Sequence, residues 1–349
     1  MSEINNYIGT LQESCILENQ ILINKSNSKG YWSNLNKSEN RELINEVLET
    51  NPVDAIKKKQ PWLFNVIFSS KREAGLELLN LRGDEICIDF GCMWGAISVP
   101  LSKRCKLVIA ADQTVESLEF LRERIKYEKI SNLILLNTDI KKFPSLNNLK
   151  IDIAIVNGVL EWIPEQGTIE LKKYLGKKIN KKYLNLQTPL NQQKDFLRDI
   201  KKKLKKKGKL YLAIENRYDF KMFFGEYDPH ANLLLTTVLP KRIANIISKL
   251  FLGRPYVNWI YSKKELENIL KSIGYKNIQI YFAFPDYRFP ERIIHSSNSL
   301  KNFYPTIELR DWKRKIKLKR LLGFICEFII FKILRLKGLA PSFIVIAEA

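Results

Sequence analysis

Carboxylates and glycines at the ends of apolar runs carry the first chemical signal of this chain. In Ile86-Cys-Ile-Asp-Phe-Gly-Cys-Met-Trp-Gly95 an apolar run meets Asp89 and then a turn bounded by Gly91 and Gly95. Glycine lets the backbone of such a turn come close to a ligand, because it carries no Cβ. Ala96 to Val99 can open a helix whose free N–H groups face the turn. Asp112 ends the next apolar run, Lys106–Ala111, and its carboxylate can accept two hydrogen bonds from ribose hydroxyls. Asp139 and Ile140 follow Leu133–Leu136, and Asn157 follows Ile151–Val156. The chemistry implied is recognition of a nucleoside. A dinucleotide fingerprint, G-x-G-x-x-G, is not met, since Met93 and Ala96 stand where its second and third glycines belong.

A second group of residues could move protons. The chain has two histidines, His230 and His295. His230 lies in Asp228-Pro229-His230 and could take a proton from a hydroxyl. Glu161, just beyond Asn157, is a second candidate base. Glu215-Asn216-Arg217-Tyr218 follows the apolar run Lys209–Ile214 and could hold an acceptor, because Arg suits a carboxylate or phosphate. The competing reading pairs Glu215 with Arg217 as loop scaffolding. The five cysteines show no C-x-x-C pairing, so neither a disulfide framework nor a zinc knuckle is expected, and no metal is assigned.

The elements that must position these groups are alternating strands and helices. The runs at 86–88, 106–111, 133–136, 151–156 and 209–214 read as buried strands. Between them, Thr114–Tyr127 has helical apolar spacing at Val115, Leu118, Leu121 and Ile125, and Asp195–Leu204 reads as a helix. This alternation predicts a parallel, doubly wound α/β sheet, with each polar residue at a strand's carboxyl end, where such sheets bind ligands.

Asp89-x-Gly91-x-Met93-x-Gly95 resembles the first motif of class I S-adenosylmethionine-dependent methyltransferases, acidic-x-Gly-x-Gly-x-Gly, with Met93 at the middle glycine. The resemblance implies S-adenosyl-L-methionine as cofactor. It implies contacts from Asp89, Gly91, Met93, Trp94, Gly95, Asp112, Gln113, Asp139, Ile140 and Asn157, with Asp139 receiving the adenine amino group. Asn157 to Trp162 looks like the family's loop beside the methyl donor. The implied fold is a Rossmann-like sheet of seven strands in the order 3-2-1-4-5-7-6, with helices on both faces. Ile278–Phe284 and Ser342–Ala347 are then strands six and seven, and insertions follow strands 4, 5 and 6. The implied division is an N-terminal helical extension over 1–84, a core over 85–287, and insertion helices with a final edge strand over 288–349.

The loop at Asn157 lacks the Pro-Pro of base-amino methyltransferases and the Pro-Cys of the 5-methylpyrimidine type. A narrower similarity, through Glu215–Tyr218 and Asp286–Pro290, is to methyltransferases found with bacterial surface-glycan synthesis. The expected reaction is O-methylation of a sugar, glycan or small hydroxylated metabolite, with Glu215, Asn216, Arg217 and Tyr218 toward the acceptor. One alternative is an RNA methyltransferase using the basic surface. Another is a non-catalytic, cofactor-binding scaffold.

The net charge of +21 admits nucleic acid or an anionic membrane as partner, yet the lysine, asparagine and isoleucine bias fits genome composition as well. Leu321–Leu334 is too short to span a membrane, which takes about 20 apolar residues. With the basic flank Lys313–Arg320 it could lie on a membrane surface, giving peripheral contact through 313–334. Residues 1–12 show no basic-then-apolar signal pattern, and the free cysteines suit a cytoplasmic setting. Ser262 and Glu265 form a capping box that starts a helix ended by Gly274.

Overall fold

Runs of β-branched and aliphatic residues buried on both faces become the parallel strands at the centre of this protein. In the computed structural model, which describes residues 2–27, 33, 35–164, 188–306 and 314–349, these are β3 (Ile86–Phe90), β4 (Leu107–Asp112), β5 (Leu133–Asn137) and β6 (Ile151–Asn157). Ahead of them lie β1 (Cys15–Glu18) and β2 (Ile21–Asn24). After them come β7 (Leu204–Glu215), β8 (Lys276–Phe284), β9 (Arg292–His295) and β10 (Ser342–Glu348). The insertion expected after strand 4 falls largely outside the described residues, which omit 165–187, as do Lys313 and loop positions 28–32 and 34.

The chain divides into two compact units. The first holds residues 1–159, 195–211 and 348–349. Its strands run in the order β1-β2-β5-β4-β3-β6, followed by the opening part of β7. β3 pairs parallel with both β4 and β6, and β4 with β5. Register decides which residues share one edge of this unit. Phe90 is level with Ala111 and Val156, and Asp112 is level with Asn137. The chain therefore leaves β3, β4, β5 and β6 at one height, bringing Gly91, Asp112, Thr138 and Asn157 to the same carboxyl edge. The second unit holds residues 160–194 and 212–347. It contains the end of β7, then β10, β8 and β9 in that order. β8 and β9 form an antiparallel pair, with Tyr281 opposite His295.

The structure corrects the expected elements in several places. The N-terminal extension is not purely helical. Cys15–Glu18 and Ile21–Asn24 form a hairpin, and β2 adds parallel to β5 with Ile21 opposite Leu135. Its two-residue loop has Asn19 at φ 46° and Gln20 at φ 67°, the left-handed pair that matches strand twist. Asn24 Nδ2 then donates to Thr138 Oγ1 and Lys142 O, both at 2.9 Å. The last strand, β10, is not an edge strand, because it lies between β7 and β8 and the outer position belongs to β9. Ser70–Leu79 winds as 3₁₀ turns rather than an α-helix. The helix expected at Leu321–Leu334 begins earlier, at Arg314, and its end, Phe328–Ile333, widens into a π-helical turn.

The remaining N-terminal helices are cut by asparagine caps. Asn36 forms a capping box with Glu39 and starts Lys37–Glu49, and Asn51 caps Pro52–Lys59. Their apolar faces bury Leu43, Val47, Ala55 and Ile56 with Leu63 and Ile67 in one core around Trp94 and Phe120. This packing fixes the segment just after β3. The box at Ser262 forms as expected: Ser262 N–H donates to Glu265 Oε2 at 2.8 Å, and Gly274 at φ 95° ends the helix.

Candidate functional site

The turn after β3 is held by its neighbours rather than by itself. The N–H groups of Gly91 and Cys92 both donate to Ala111 O, at 2.8 and 3.1 Å. Met93 N–H donates to Asp112 Oδ2 and Thr114 N–H to Asp112 Oδ1, each at 2.8 Å. Ser98 Oγ donates to Asp89 Oδ2 at 2.6 Å. Gly91 and Gly95 adopt φ 75° and 78°. A Cβ on Gly91 would meet Val159 Cγ2 at 2.6 Å, and one on Gly95 would meet Leu121 Cδ1 at 2.3 Å. Met93, in the family's glycine position, keeps glycine's left-handed conformation at φ 46°. That backbone costs an L-residue roughly 1–2 kcal/mol. Its bond to Asp112 and the contact of its side chain with the core around Trp94 offset the strain.

A cavity of about 40 Å³ opens at this turn, lined by Asp89, Gly91, Met93, Trp94 and Asn157 together with Arg72, among others. Asn157 Oδ1 and Trp94 Nε1 are buried there without a hydrogen-bond partner. Arg124 Nη1 fastens the segment from below by donating to the carbonyls of Ile67, Trp94 and Gly95 at 3.3, 3.3 and 3.0 Å. Burial pushes the carboxyls of Asp89 and Asp112 up to about 6 each, and the charge of Asp112 adds to the effect on Asp89. Gly95, Asp112, Gln113, Asp139 and Ile140 lie outside the cavity lining. Asp139 follows β5, accepts a bond from Lys141 N–H at 3.0 Å and donates its own N–H to Asn27 Oδ1 at 2.7 Å. Arg72 escaped the sequence reading. It sits in Ser70–Leu79, within the N-terminal extension, and only the fold brings it to the turn.

A second polar cluster lies within the second unit. Four residues after Asn157, Glu161 is buried to 1% side-chain exposure, and Glu215 ends β7. His230 Nε2 stands 3.9 Å from Glu161 Oε1 and 3.9 Å from Glu215 Oε2. His230 Nδ1 is 3.3 Å from Asp228 Oδ1. Asp228 in turn accepts bonds from Thr236 Oγ1, Tyr256 OH and the His230 N–H, all at 2.8 Å. The Trp162 ring meets the imidazole edge-on, with centroids 5.0 Å apart. Burial alone would lower the His230 pKa, but Asp228, Glu161 and Glu215 outweigh it and lift it to about 10. Burial would raise Asp228, yet its bonds to His230 hold it at about 2. Glu161 is pushed above the usual carboxylate range by burial first and by Glu215 second. The three carboxylates thus favour the protonated imidazole. Asp228, Thr236 and Tyr256 were not singled out in the sequence as its supports; the Asp-Pro-His spacing was the one signal available.

Two of the four residues expected to hold an acceptor are engaged by neighbouring loops. Asn216 Nδ2 donates to Gly338 O and Ala340 O at 2.8 and 2.7 Å. Arg217 pairs with Glu265, not Glu215, at 2.8 Å, and donates to the carbonyls of Thr237, Val238 and Leu239. Their polar groups are spent on loops that would otherwise bury bare carbonyls. Tyr218 lines a separate open depression of about 540 Å³ with Ser262, Lys263 and Lys264. Glu215 alone of the four joins the His230 cluster.

The family model for a methyltransferase domain matches residues 81–272, more than half of the chain. Among curated proteins, a probable cobalt-precorrin-6B C(15)-methyltransferase (decarboxylating) of Methanococcus vannielii is 29% identical over 87 residues, 25% of this chain and 47% of that protein. A second, from Methanocaldococcus jannaschii, is 28% identical over 87 residues, 46% of its length. The chain thus spans about half the length of the curated relatives it matches. Among solved structures, a putative methyltransferase from Bacillus halodurans is 15% identical, covering 80% of this chain and 99% of that one at a TM-score of 0.41. A Haemonchus contortus phosphoethanolamine N-methyltransferase 2 is 12% identical, covering 85% and 59% at a TM-score of 0.44. On the family match over residues 81–272, the chain belongs to the methyltransferase-domain family.

Proposed function

We propose that this chain transfers the methyl group of S-adenosyl-L-methionine to a hydroxyl of a sugar, glycan or other small hydroxylated metabolite. One observation carries the reading: the Asp89–Gly95 turn leaves β3 level with Asp112 and Asn157 on neighbouring strands. The residues there fit the cofactor. Asn157 Oδ1 and Trp94 Nε1 are buried polar atoms in need of partners. Arg72 in the same cavity suits the carboxylate of the methionyl end, and Asp89 and Asn157 suit its ammonium. Asp112, which accepts from the N–H groups of Met93, Thr114 and Gln113, is the carboxylate we assign to the ribose hydroxyls. The cavity of about 40 Å³ has room for one end group, against the ~300–1,000 Å³ of pockets that hold a whole drug-sized ligand. Bound, the cofactor supplies an electrophilic methyl group on a sulfonium. The chain's own task is to align the acceptor, worth about 7–11 kcal/mol, and to receive its proton. Glu161 Oε2 and Glu215 Oε2, buried and without hydrogen-bond partners, are the atoms suited to that proton, and the His230 imidazolium fixes the two carboxylates.

Calorimetry with S-adenosylhomocysteine tests the reading. Binding is expected, and Asp112→Ala should weaken it at least tenfold; no measurable binding to the wild-type chain would end it. An RNA acceptor predicts instead an affinity that collapses with salt.

Peripheral membrane contact is a second reading, and the helix Lys241–Leu252 favours it. Ala244 and Ser248 face inward, while Ile243, Ile246, Leu250 and Phe251 are 45–76% exposed beside Arg242 and Lys249. Leu322, Ile325 and Ile333, within the stretch first expected to meet a membrane, are 42–57% exposed. No helix among the described residues is long and apolar enough to cross a membrane.

A further inference from the structure

We propose that Glu161, Glu215 and His230 form the protein half of a divalent metal site with an open position for the acceptor's oxygen. One oxygen of each glutamate and one ring nitrogen of His230 all lie within 4.8 Å of one another, and a metal entering there displaces the proton that the carboxylates hold on that ring. The two nitrogen–oxygen spacings are 3.9 Å. Metal–ligand bonds of about 2.0–2.2 Å at angles of 90–120° put neighbouring donors roughly 3.0–3.6 Å apart, so a contraction of a few tenths of an ångström closes the two nitrogen–oxygen spacings and one of up to about 1 Å closes the pair of glutamate oxygens.

Three independent observations point to a cation here. Glu161 is almost fully buried, yet its Oε2 has no hydrogen-bond partner, and neither has Glu215 Oε2. Three carboxylates, those of Glu161, Glu215 and Asp228, stand 3.3–3.9 Å from one imidazole, while Arg288 acts electrostatically on Glu215 and Lys241 on Asp228. The far side of the ring is also prepared. Asp228 Oδ1 stands 3.3 Å from Nδ1, which has no hydrogen-bond partner as placed, and Asp228 is itself fixed by Thr236, Tyr256 and a backbone N–H. A carboxylate on the second ring nitrogen is how metal-ligating histidines are usually oriented. Nothing in the sequence spacing announces this set, because its donors come from three separated segments, at 161, 215 and 230.

One imidazole and two carboxylates suit Mn²⁺, Fe²⁺ or Zn²⁺ better than Mg²⁺ or Ca²⁺, which favour all-oxygen ligation. Three protein ligands leave a place for a substrate oxygen. A metal there polarises the acceptor's O–H bond. The proton passes to a glutamate oxygen outside the metal's donor set, the acceptor oxygen forms its bond to the methyl carbon, and the breaking carbon–sulfur bond leaves its electron pair on sulfur as a neutral thioether. The role in methyl transfer rests on the function proposed above; the binding of the metal does not.

The test is titration of chelator-treated full-length chain with Mn²⁺, followed by electron paramagnetic resonance. One equivalent should bind, and Glu161→Gln or Glu215→Gln should weaken it at least tenfold. Asp228→Asn should weaken it about tenfold or more. Circular dichroism checks that each variant is folded. Since the chain has two histidines, pulsed resonance should detect one imidazole nitrogen on the bound Mn²⁺. That signal should survive His295→Gln and vanish with His230→Gln. The wild-type measurement stands even if a variant fails to fold. Absence of saturable one-to-one binding of Mn²⁺ or Zn²⁺, or affinity unchanged in folded Glu161→Gln/Glu215→Gln, overturns the site. Parallel calorimetry with S-adenosylhomocysteine separates the two proposals. Cofactor binding without metal binding removes only the metal, and metal binding without cofactor binding removes only the function.

Discussion

Replacing Gly95 by alanine is the sharpest test of why the turn after β3 carries glycine. The new Cβ would lie 2.3 Å from Leu121 Cδ1, 3.2 Å from Cδ2 and 3.3 Å from Cγ. Leu121 is fully buried and lies in the helix Val115–Tyr127, so it has little room to retreat. Overpacking of that kind costs about 1–3 kcal/mol. The backbone at φ 78° adds roughly 1–2 kcal/mol for any residue with a Cβ. The expected loss for Gly95→Ala is therefore about 2–5 kcal/mol, read as a lower urea midpoint with an unchanged slope. Leu121→Ala should cost about 2–5 kcal/mol alone, but clearly less on top of Gly95→Ala, because the clash is removed with the side chain. The coupling should be about 1–3 kcal/mol in favour of the double variant. A Gly95→Ala loss below 1 kcal/mol, or strictly additive losses, would refute the steric account and leave ligand approach as the glycine's reason.

Cofactor affinity should depend on pH through Asp89 and Asp112. Both titrate near 6 in the folded chain, above the ordinary 3.8, so the ionised forms that accept bonds are present above pH 6 and are lost below it. If one such carboxylate must be ionised, S-adenosylhomocysteine should bind about tenfold more weakly at pH 5 than at pH 7.5; an affinity flat across that range contradicts it. Arg217→Ala should lower stability by about 1–3 kcal/mol, since it strips donors from buried carbonyls, while leaving the acceptor KM unchanged. Glu215→Gln should do the reverse, preserving the melting temperature and lowering kcat at least tenfold; the opposite split would exchange their roles. Vesicles containing phosphatidylglycerol should sediment the wild-type chain in a salt-sensitive way. The Leu250→Ser/Phe251→Ser variant should stay in solution, and equal sedimentation of both would remove the membrane reading.

What the sequence disclosed follows from which forces act locally. Buried parallel strands must be apolar throughout, so Ile86–Ile88, Lys106–Ala111 and Ile151–Val156 stood out and were found where expected. Helix caps are short-range hydrogen bonds, and Ser262 with Glu265 could be read directly. The hairpin of β1 and β2 could not, because four-residue strands are too short to show a period and owe their existence to β5. At the site, Asp89, Gly91 and Asn157 were marked by their place after strands. Arg72 and the partnership of His230 with Glu161, Glu215 and Asp228 depend on contacts between distant segments. Asn216 and Arg217 show the opposite limit. A polar run after a strand looks the same whether its side chains face a ligand or satisfy the backbone of a neighbouring loop.

The hairpin has a further consequence for solubility. The outermost strands of the two units, β1 and β9, are each four residues long. Such short edges give another chain few backbone groups to pair with, which is how natural sheets resist edge-to-edge aggregation. Without residues 1–24 the outer strand of the first unit would instead be β5, Leu-Ile-Leu-Leu-Asn, an uncharged apolar edge with its backbone groups open to pairing. The first 24 residues thus serve as a guard strand, and a chain trimmed to begin at the nucleoside-binding core should precipitate where the full chain stays dispersed.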